Sequence, residues 1–279
     1  MKLSTHVFQR TSDQGMPIIS VDNPVASLEL SLFGGHVLSF MPKRDNRQRL
    51  WLSPKAVMDG SKPIRGGIPL CWPWFGQASQ ADLPAHGLVR NQMWQVIRVD
   101  DDVDETRLQL QPKQCSGPGF VHSAELTLEL LIGHQLSVSL ITRNTGQQAF
   151  TFGGALHSYF RVSDIGKVKI TGLQGPYQDK VQNTLMDTSP SPYCIAAETD
   201  RIHLTQSADI SIVDAECATQ LHNQGHDSLV VWNPWQEKSA HMADMPANGY
   251  QQMLCIEAAI TQGLELAPGQ SHTLKQVIA

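Results

Sequence analysis

AELTLELLIGHQLSVSLITRN, residues 124–144, alternates apolar and polar side chains twice, with a break at Gly133–His134. Leu126, Leu128 and Leu130 fall on one face of an extended chain, and Leu136, Val138 and Leu140 answer them beyond the break. A period of two marks a half-buried strand, so this stretch predicts two strands joined by a tight turn. SLELSLFGGHVLSF (residues 27–40) repeats the device, with Leu28, Leu30 and Leu32 on one face and Ser27, Glu29 and Ser31 on the other. TRLQLQP, KVKITG, RIHLT and ADISIVD continue it, and DDVDET (residues 101–106) reads as an acidic turn between strands. Sustained helical periodicity is hard to find. Many short strands punctuated by Gly, Pro, Asn and Asp imply an all-β chain, an antiparallel sandwich or barrel.

No linker, composition break or repeat divides the 279 residues, so a single domain over 1–279 is expected. The net charge of −5 with no basic block argues against nucleic acid as a partner. The N-terminus lacks an apolar core of signal-peptide length, and no apolar run approaches the ~18 residues that span a bilayer, so neither secretion nor a membrane is expected. Five cysteines, at 71, 115, 194, 217 and 255, form no C-x-x-C pair. They predict reduced thiols in a cytoplasmic protein, each read as a small buried hydrophobe.

IRGGIPLCWPWFGQ, residues 64–77, cannot be a regular core element, because Pro69 and Pro73 interrupt strand and helix alike. It nonetheless concentrates Trp72, Trp74 and Phe75 around one arginine, Arg65. WNPW adds Trp232 and Trp235. Aromatic faces suit sugar rings, which have one apolar side and a rim of hydroxyls. His86 precedes Gly87, which permits a backbone or ligand to come close, and Arg90 follows four residues on. His157 stands among apolar and aromatic neighbours, as a buried core histidine or a functional one. Glu257 lies inside the apolar run MLCIEAAI and shares a strand face with Cys255 and Ala259. It is either a rim carboxylate in water or a base held in an apolar setting. HNQGH puts His222 and His226 four apart on a turn without a third ligand, so no metal is expected there.

Six segments in order, DGSKPIRGGIPLCWPWFG, LPAHGLVRNQMW, ALHSYFRVSDI, AETDRI, VVWNPWQEKSAHMAD and MLCIEAA, resemble the hexose-6-phosphate mutarotases, a branch of the aldose 1-epimerase superfamily. The resemblance spans nearly the whole chain. It implies the large galactose-mutarotase-like β-sandwich and interconversion of the α and β anomers of a hexose 6-phosphate, glucose 6-phosphate first. It points to His157 and Glu257 as the catalytic pair, His86 as a second site histidine, Asp200 as a carboxylate for sugar hydroxyls, and Arg65 and Arg90 as the groups that meet the phosphate. Lys238 is a further candidate cation. Residues 65–76 would form wall and floor of the sugar site, with Trp72, Trp74 or Phe75 turned to the cleft. AAITQGLEL follows Glu257 where the family pattern leads one to expect a glycine or proline.

Ring opening needs a base for the anomeric hydroxyl and an acid for the ring oxygen, and no cofactor or metal. Glu257 is expected to serve as an ionised base and His157 as a protonated acid, the carboxylate raising the imidazole's proton affinity. A small hexose phosphate is the expected partner of a monomer. The rival readings are a non-catalytic sugar-binding protein on the same fold, an epimerase of unphosphorylated aldoses, and a glycosidase using Asp200 and Glu257.

Overall fold

In the computed structural model, which describes residues 1–215 and 218–279, antiparallel strands form three sheets. Cys217 lies outside the described residues. Strands Val7–Thr11, Pro17–Asp22, Ala26–Ser31 and His36–Pro42 make a four-stranded meander. An eight-stranded sheet runs Lys169–Thr171, Asp209–Val213, Ala218–Gln224, Ser271–Ile278, Leu136–Asn144, Ala124–Ile132, Thr106–Pro112, Trp94–Asp101. The predicted hairpin is its centre: Leu128 faces Leu140, Leu130 faces Val138 and Ile132 faces Leu136, all essentially buried. Each such side chain contributes roughly 1.5–3 kcal/mol on burial. The acidic turn falls between Trp94–Asp101 and Thr106–Pro112, where Asp101 accepts hydrogen bonds from Ser4, Thr106 and the His6 backbone.

The other eight-stranded sheet carries the candidate residues Asp200 and Glu257. Its order is Thr184–Met186, Tyr177–Asp179, Thr199–His203, Ser228–Asn233, Met253–Leu266, Phe150–Leu156, Leu70–Cys71, with Tyr159–Arg161 also paired to Met253–Leu266. Cross-strand pairing separates two faces. Leu229, Ala258, Leu156 and Leu70 form one row, beside Val231 and Ile256, and all belong to the main core. The opposite face carries the row Asp200, Trp232, Cys255, Tyr159 and next to it Ile202, Val230, Glu257. The main core draws on all three sheets, and hydrogen bonds cross between the two large ones: Trp72 Nε1 donates to Thr142 Oγ1 at 3.1 Å, and Ser158 Oγ to Gln276 Oε1 at 2.6 Å.

Several expectations are corrected. Trp72 is fully buried in the core and does not face a cleft, because its indole N–H is used between the sheets. The segment 64–77 is not irregular throughout, since Leu70–Cys71 pairs as an edge strand, where flanking prolines cost no central ladder bond. After Glu257 the strand runs on to Leu266, with a register shift between Ile260 and Leu264 and Gly263 at φ +79°, so no loop follows the carboxylate directly. Cys71 and Cys255 are buried, but Cys115 is only half-buried and Cys194 is exposed. Trp235–His241 is a short helix that the alternation did not announce.

Candidate active site

His157 and Glu257 are brought together by sheet register. Leu156 pairs with Ala258 and Tyr159 with Cys255, so the two residues between them on each strand, 157–158 and 256–257, set His157 opposite Glu257. The ladder opens there. His157 N–H turns to the Pro69 carbonyl at 3.0 Å. Its Nδ1 lies 3.4 Å from Glu257 Oε1 without hydrogen-bond alignment, and Nδ1 and Glu257 Oε2 are both buried without a hydrogen-bond partner. Two unsatisfied polar atoms on one face of a sheet mark a site rather than a packing solution. Tyr159 stacks on the imidazole at 5.0 Å with 9° between the rings, and Trp232 meets it edge-on at 6.2 Å.

Glu257 is 1 % exposed, on a central strand, and not at a rim. Burial, then the charge of Asp200, pushes its carboxyl well above the usual carboxylate range, with Lys180 opposing. Burial, then His86, Arg65 and Arg90, pushes His157 well below an ordinary imidazole. Both directions run against the expected ionised glutamate beside a protonated histidine. Burial disfavours both charges, raising the proton affinity of the carboxyl and lowering that of the ring.

This has a stability consequence with a definite sign. A carboxyl whose folded proton affinity is raised costs folding free energy as pH climbs above its ordinary 4.5. His157 gives the opposite slope below 6.5, so the two contributions oppose each other between those values, and above 6.5 only the Glu257 penalty continues. Glu257→Gln is expected to lose less stability than the wild type between about pH 7 and about pH 9 in urea melts, the difference approaching 1.4 kcal/mol per pH unit at most. Parallel pH dependence of the two proteins would contradict the assignment.

His86 sits at φ +64°, an unusual conformation for a non-glycine residue. The Gly76 N–H donates to its Nδ1 at 3.3 Å, which leaves Nε2–H as a donor. Burial, then Arg90, Lys180 and Arg65, lowers its pKa to about 3, so it acts as a neutral donor. Phe75 packs on it edge-on at 5.1 Å, and its ring is 5.7 Å from that of His157. Gly87 fixes this loop. The close approach it permits is to protein backbone: a Cβ there would lie 2.0 Å from the Trp72 carbonyl oxygen, which already accepts from Leu88 N–H. Gly87→Ala is expected to cost at least ~2 kcal/mol, read as a drop in Tm, since both the φ of +83° and the clash oppose it.

Arg65, His86, Arg90, His157, Tyr159 and Asp244 line one cavity of about 310 Å³. Arg65 Nε and Nη2 reach Asp244 Oδ2 at 3.2 and 3.1 Å, and Nη1 donates to Tyr159 Oη at 2.9 Å. Burial opposes that charge, but Tyr159 and Asp244 outweigh it and hold the guanidinium's proton more tightly than usual. Arg90 differs. Its Nη2 donates to the Ala85 carbonyl at 2.8 Å, its Nε is buried with no partner, and no carboxylate pairs with it among the described residues. Asp200 stands across the sheet from Trp232, its Oδ2 3.5 Å from Lys180 Nζ. Lys238 is not in the site: it lies exposed on the short helix, paired with Glu198 at 2.8 Å. Lys180, Asp244 and Tyr159 are the site residues that sequence reasoning missed. Asp244 and Tyr159 lay inside quoted segments, but nothing in their spacing showed that they meet Arg65.

His157, Cys255 and Glu257 place ligand-type atoms within 4.8 Å of one another. Burial, then Glu257, pushes the Cys255 thiol far up. A metal would take the thiolate form, which burial disfavours in this trio. His222 is on the surface, bonded to Asp209, and His226 turns Nε2 to the Ser207 carbonyl. Among the described residues no helix is long and apolar enough to cross a membrane.

The fold and site have relatives. The profile of the family described as aldose 1-epimerase matches residues 17–279. A protein of Escherichia coli (strain K12) named "Putative glucose-6-phosphate 1-epimerase" is 34% identical over 265 residues, covering 91% of this chain and 86% of its own. One of the same name from Cenchrus ciliaris is 34% identical over 259 residues, covering 87% and 78%. The crystal structure of a "putative mutarotase (YeaD)" from Salmonella typhimurium superposes with a TM-score of 0.92 at 30% identity, covering 100% of this chain and 94% of that one. A buried histidine–glutamate pair on one face of an antiparallel sheet, a profile match over most of the chain and these relatives lead to one conclusion: the chain belongs to the aldose 1-epimerase family and is an isomerase.

Proposed function

We propose that the chain interconverts the α and β anomers of a hexose 6-phosphate, with glucose 6-phosphate as first substrate. The observation that carries the phosphate is Arg90, a largely buried guanidinium that no carboxylate pairs among the described residues, sharing a cavity with Arg65 and with His157. A planar fork matches phosphate oxygens, and an unpaired buried cation gains most from an anion. The names of the relatives agree with this substrate.

Glu257 takes the proton of the anomeric hydroxyl as His157 gives one to the ring oxygen. The C1–O5 bond breaks and the C1–O1 double bond forms. After rotation about C1–C2 the aldehyde presents its other face to O5. His157 then removes the O5 proton while Glu257 returns one to O1. The state that burial favours, protonated Glu257 with neutral His157, accompanies the open-chain aldehyde. A carboxylate raised in proton affinity is a stronger base, and an imidazolium lowered in it a stronger acid, so burial lowers the cost of both transfers. The Nε2–H of His86 supports charge at the substrate oxygens, Asp200 holds hydroxyls, and Phe75 and Trp232 flank the ring.

Exchange NMR on equilibrated glucose 6-phosphate tests the reading. Enzyme is expected to broaden or exchange the two anomeric signals far faster than buffer, with a much smaller effect on free glucose at equal concentration. Equal catalysis of both sugars favours a general aldose epimerase, and no exchange with either leaves only binding.

A further inference from the structure

The phosphate-facing and proton-transferring groups are physically joined. Arg65 Nη1 donates to Tyr159 Oη at 2.9 Å, and the Tyr159 ring lies parallel to the His157 imidazole at 5.0 Å. His157 faces Arg65, Arg90 and His86 from the cavity side, Glu257 from the adjoining strand and Trp232 edge-on. The carboxylate nearest the arginines, Asp244, is engaged by Arg65, whereas Arg90 has none among the described residues. The imidazole therefore shares its cavity with one guanidinium, that of Arg90, which no carboxylate pairs among the described residues.

We propose that a dianion seated between Arg65 and Arg90 is an activator of the His157–Glu257 pair as well as an anchor, so that an oxyanion supplied separately switches on turnover of a sugar that carries no phosphate. The proposal rests on the phosphate reading above. Its cause is electrostatic: Arg65 and Arg90 both oppose a proton on His157, and two negative charges between them cancel that opposition. His157 must carry that proton to begin ring opening. Tyr159 holds the ring in place against Arg65, so seating the anion also fixes the orientation of the acid. The activation is a proton transfer within the pair: the O–H bond of the Glu257 carboxyl breaks and an N–H bond forms on the His157 ring, whose Nδ1 lies 3.4 Å from Oε1, leaving a carboxylate beside an imidazolium.

The test uses the wild-type enzyme, D-xylose, which lacks the sixth carbon and its phosphate, and phosphite dianion as the separate piece. Anomer exchange of xylose is measured by NMR against phosphite concentration, with buffer catalysis by phosphite subtracted from enzyme-free samples. Saturable activation of about tenfold or more is expected, within the range of couplings between neighbouring sites. In parallel, the His157 ring nitrogen and carbon signals are expected to move toward the protonated imidazolium as phosphite binds. In Arg90→Met, the ratio of rates with and without phosphite is expected to fall toward one. Phosphite that binds without accelerating xylose, or accelerates it without saturation, overturns the proposal. If glucose 6-phosphate is turned over well and phosphite does nothing, only the activation fails. If glucose 6-phosphate is no better than glucose, the phosphate reading itself fails.

Discussion

His157→Ala and Glu257→Gln are each expected to lower kcat for anomer exchange by about 100-fold or more, the usual scale for loss of a positioned acid or base. The two changes differ in what they leave behind. Glutamine keeps the size of Glu257 on its central strand, between Val230 and the His157 segment, and cannot take a proton from the anomeric hydroxyl. Alanine at 157 removes the ring between Tyr159 and the cavity and leaves the Glu257 carboxyl buried and neutral, a state it already favours. Both proteins are therefore expected to fold and to bind glucose 6-phosphate, with the loss confined to turnover. Because the two residues act on one proton inventory, the double variant is expected to be little worse than either single one. Near-wild-type exchange in either single variant, with circular dichroism and ligand binding intact, would remove that residue from the mechanism.

Arg90→Met is expected to reduce kcat/KM for glucose 6-phosphate by roughly 10- to 100-fold, the scale of hydrogen bonds to charged groups. The loss on free glucose is expected to be much smaller. Methionine retains much of the apolar stem and removes the fork. Arg65→Met should show the same selectivity with a smaller binding effect and a larger stability effect. Its guanidinium is already shared with Asp244 and Tyr159, and its removal strands the Asp244 carboxylate. Raising salt should weaken the phosphorylated sugar more than the free one. If both sugars lose equally in both variants, the arginines only brace their loops. The phosphate assignment then falls while the epimerase assignment stands.

Alternation carried most of the fold because strands buried on one face leave a period-two trace, as in Leu126–Leu128–Leu130. It was mute on residues 64–77, where Trp72 packs inward and Phe75 outward although both sit in one proline-rich run. Rotation of irregular backbone has no period to read. The pair His157 and Glu257 was visible as residue types in odd company, and in the motifs of a family. Their meeting was not, since it depends on a register linking strands a hundred positions apart. Nor was the direction in which burial moves their proton affinities. Lys180 escaped because QDKVQN looks like any solvated hairpin, and Lys238 misled because a lysine inside a specific motif need not point where the motif points.

The strand Met253–Leu266 sends Leu254 and Ile256 into the core and Cys255 and Glu257 to the opposite face. One residue gained or lost between Met253 and Glu257 would exchange those faces, placing the carboxylate among aliphatic side chains and an aliphatic side chain opposite His157. Packing and chemistry are thus written on alternate letters of the same few codons. A substitution in this stretch changes one side chain on one face, whereas a change of length inverts every side chain up to the end of the strand.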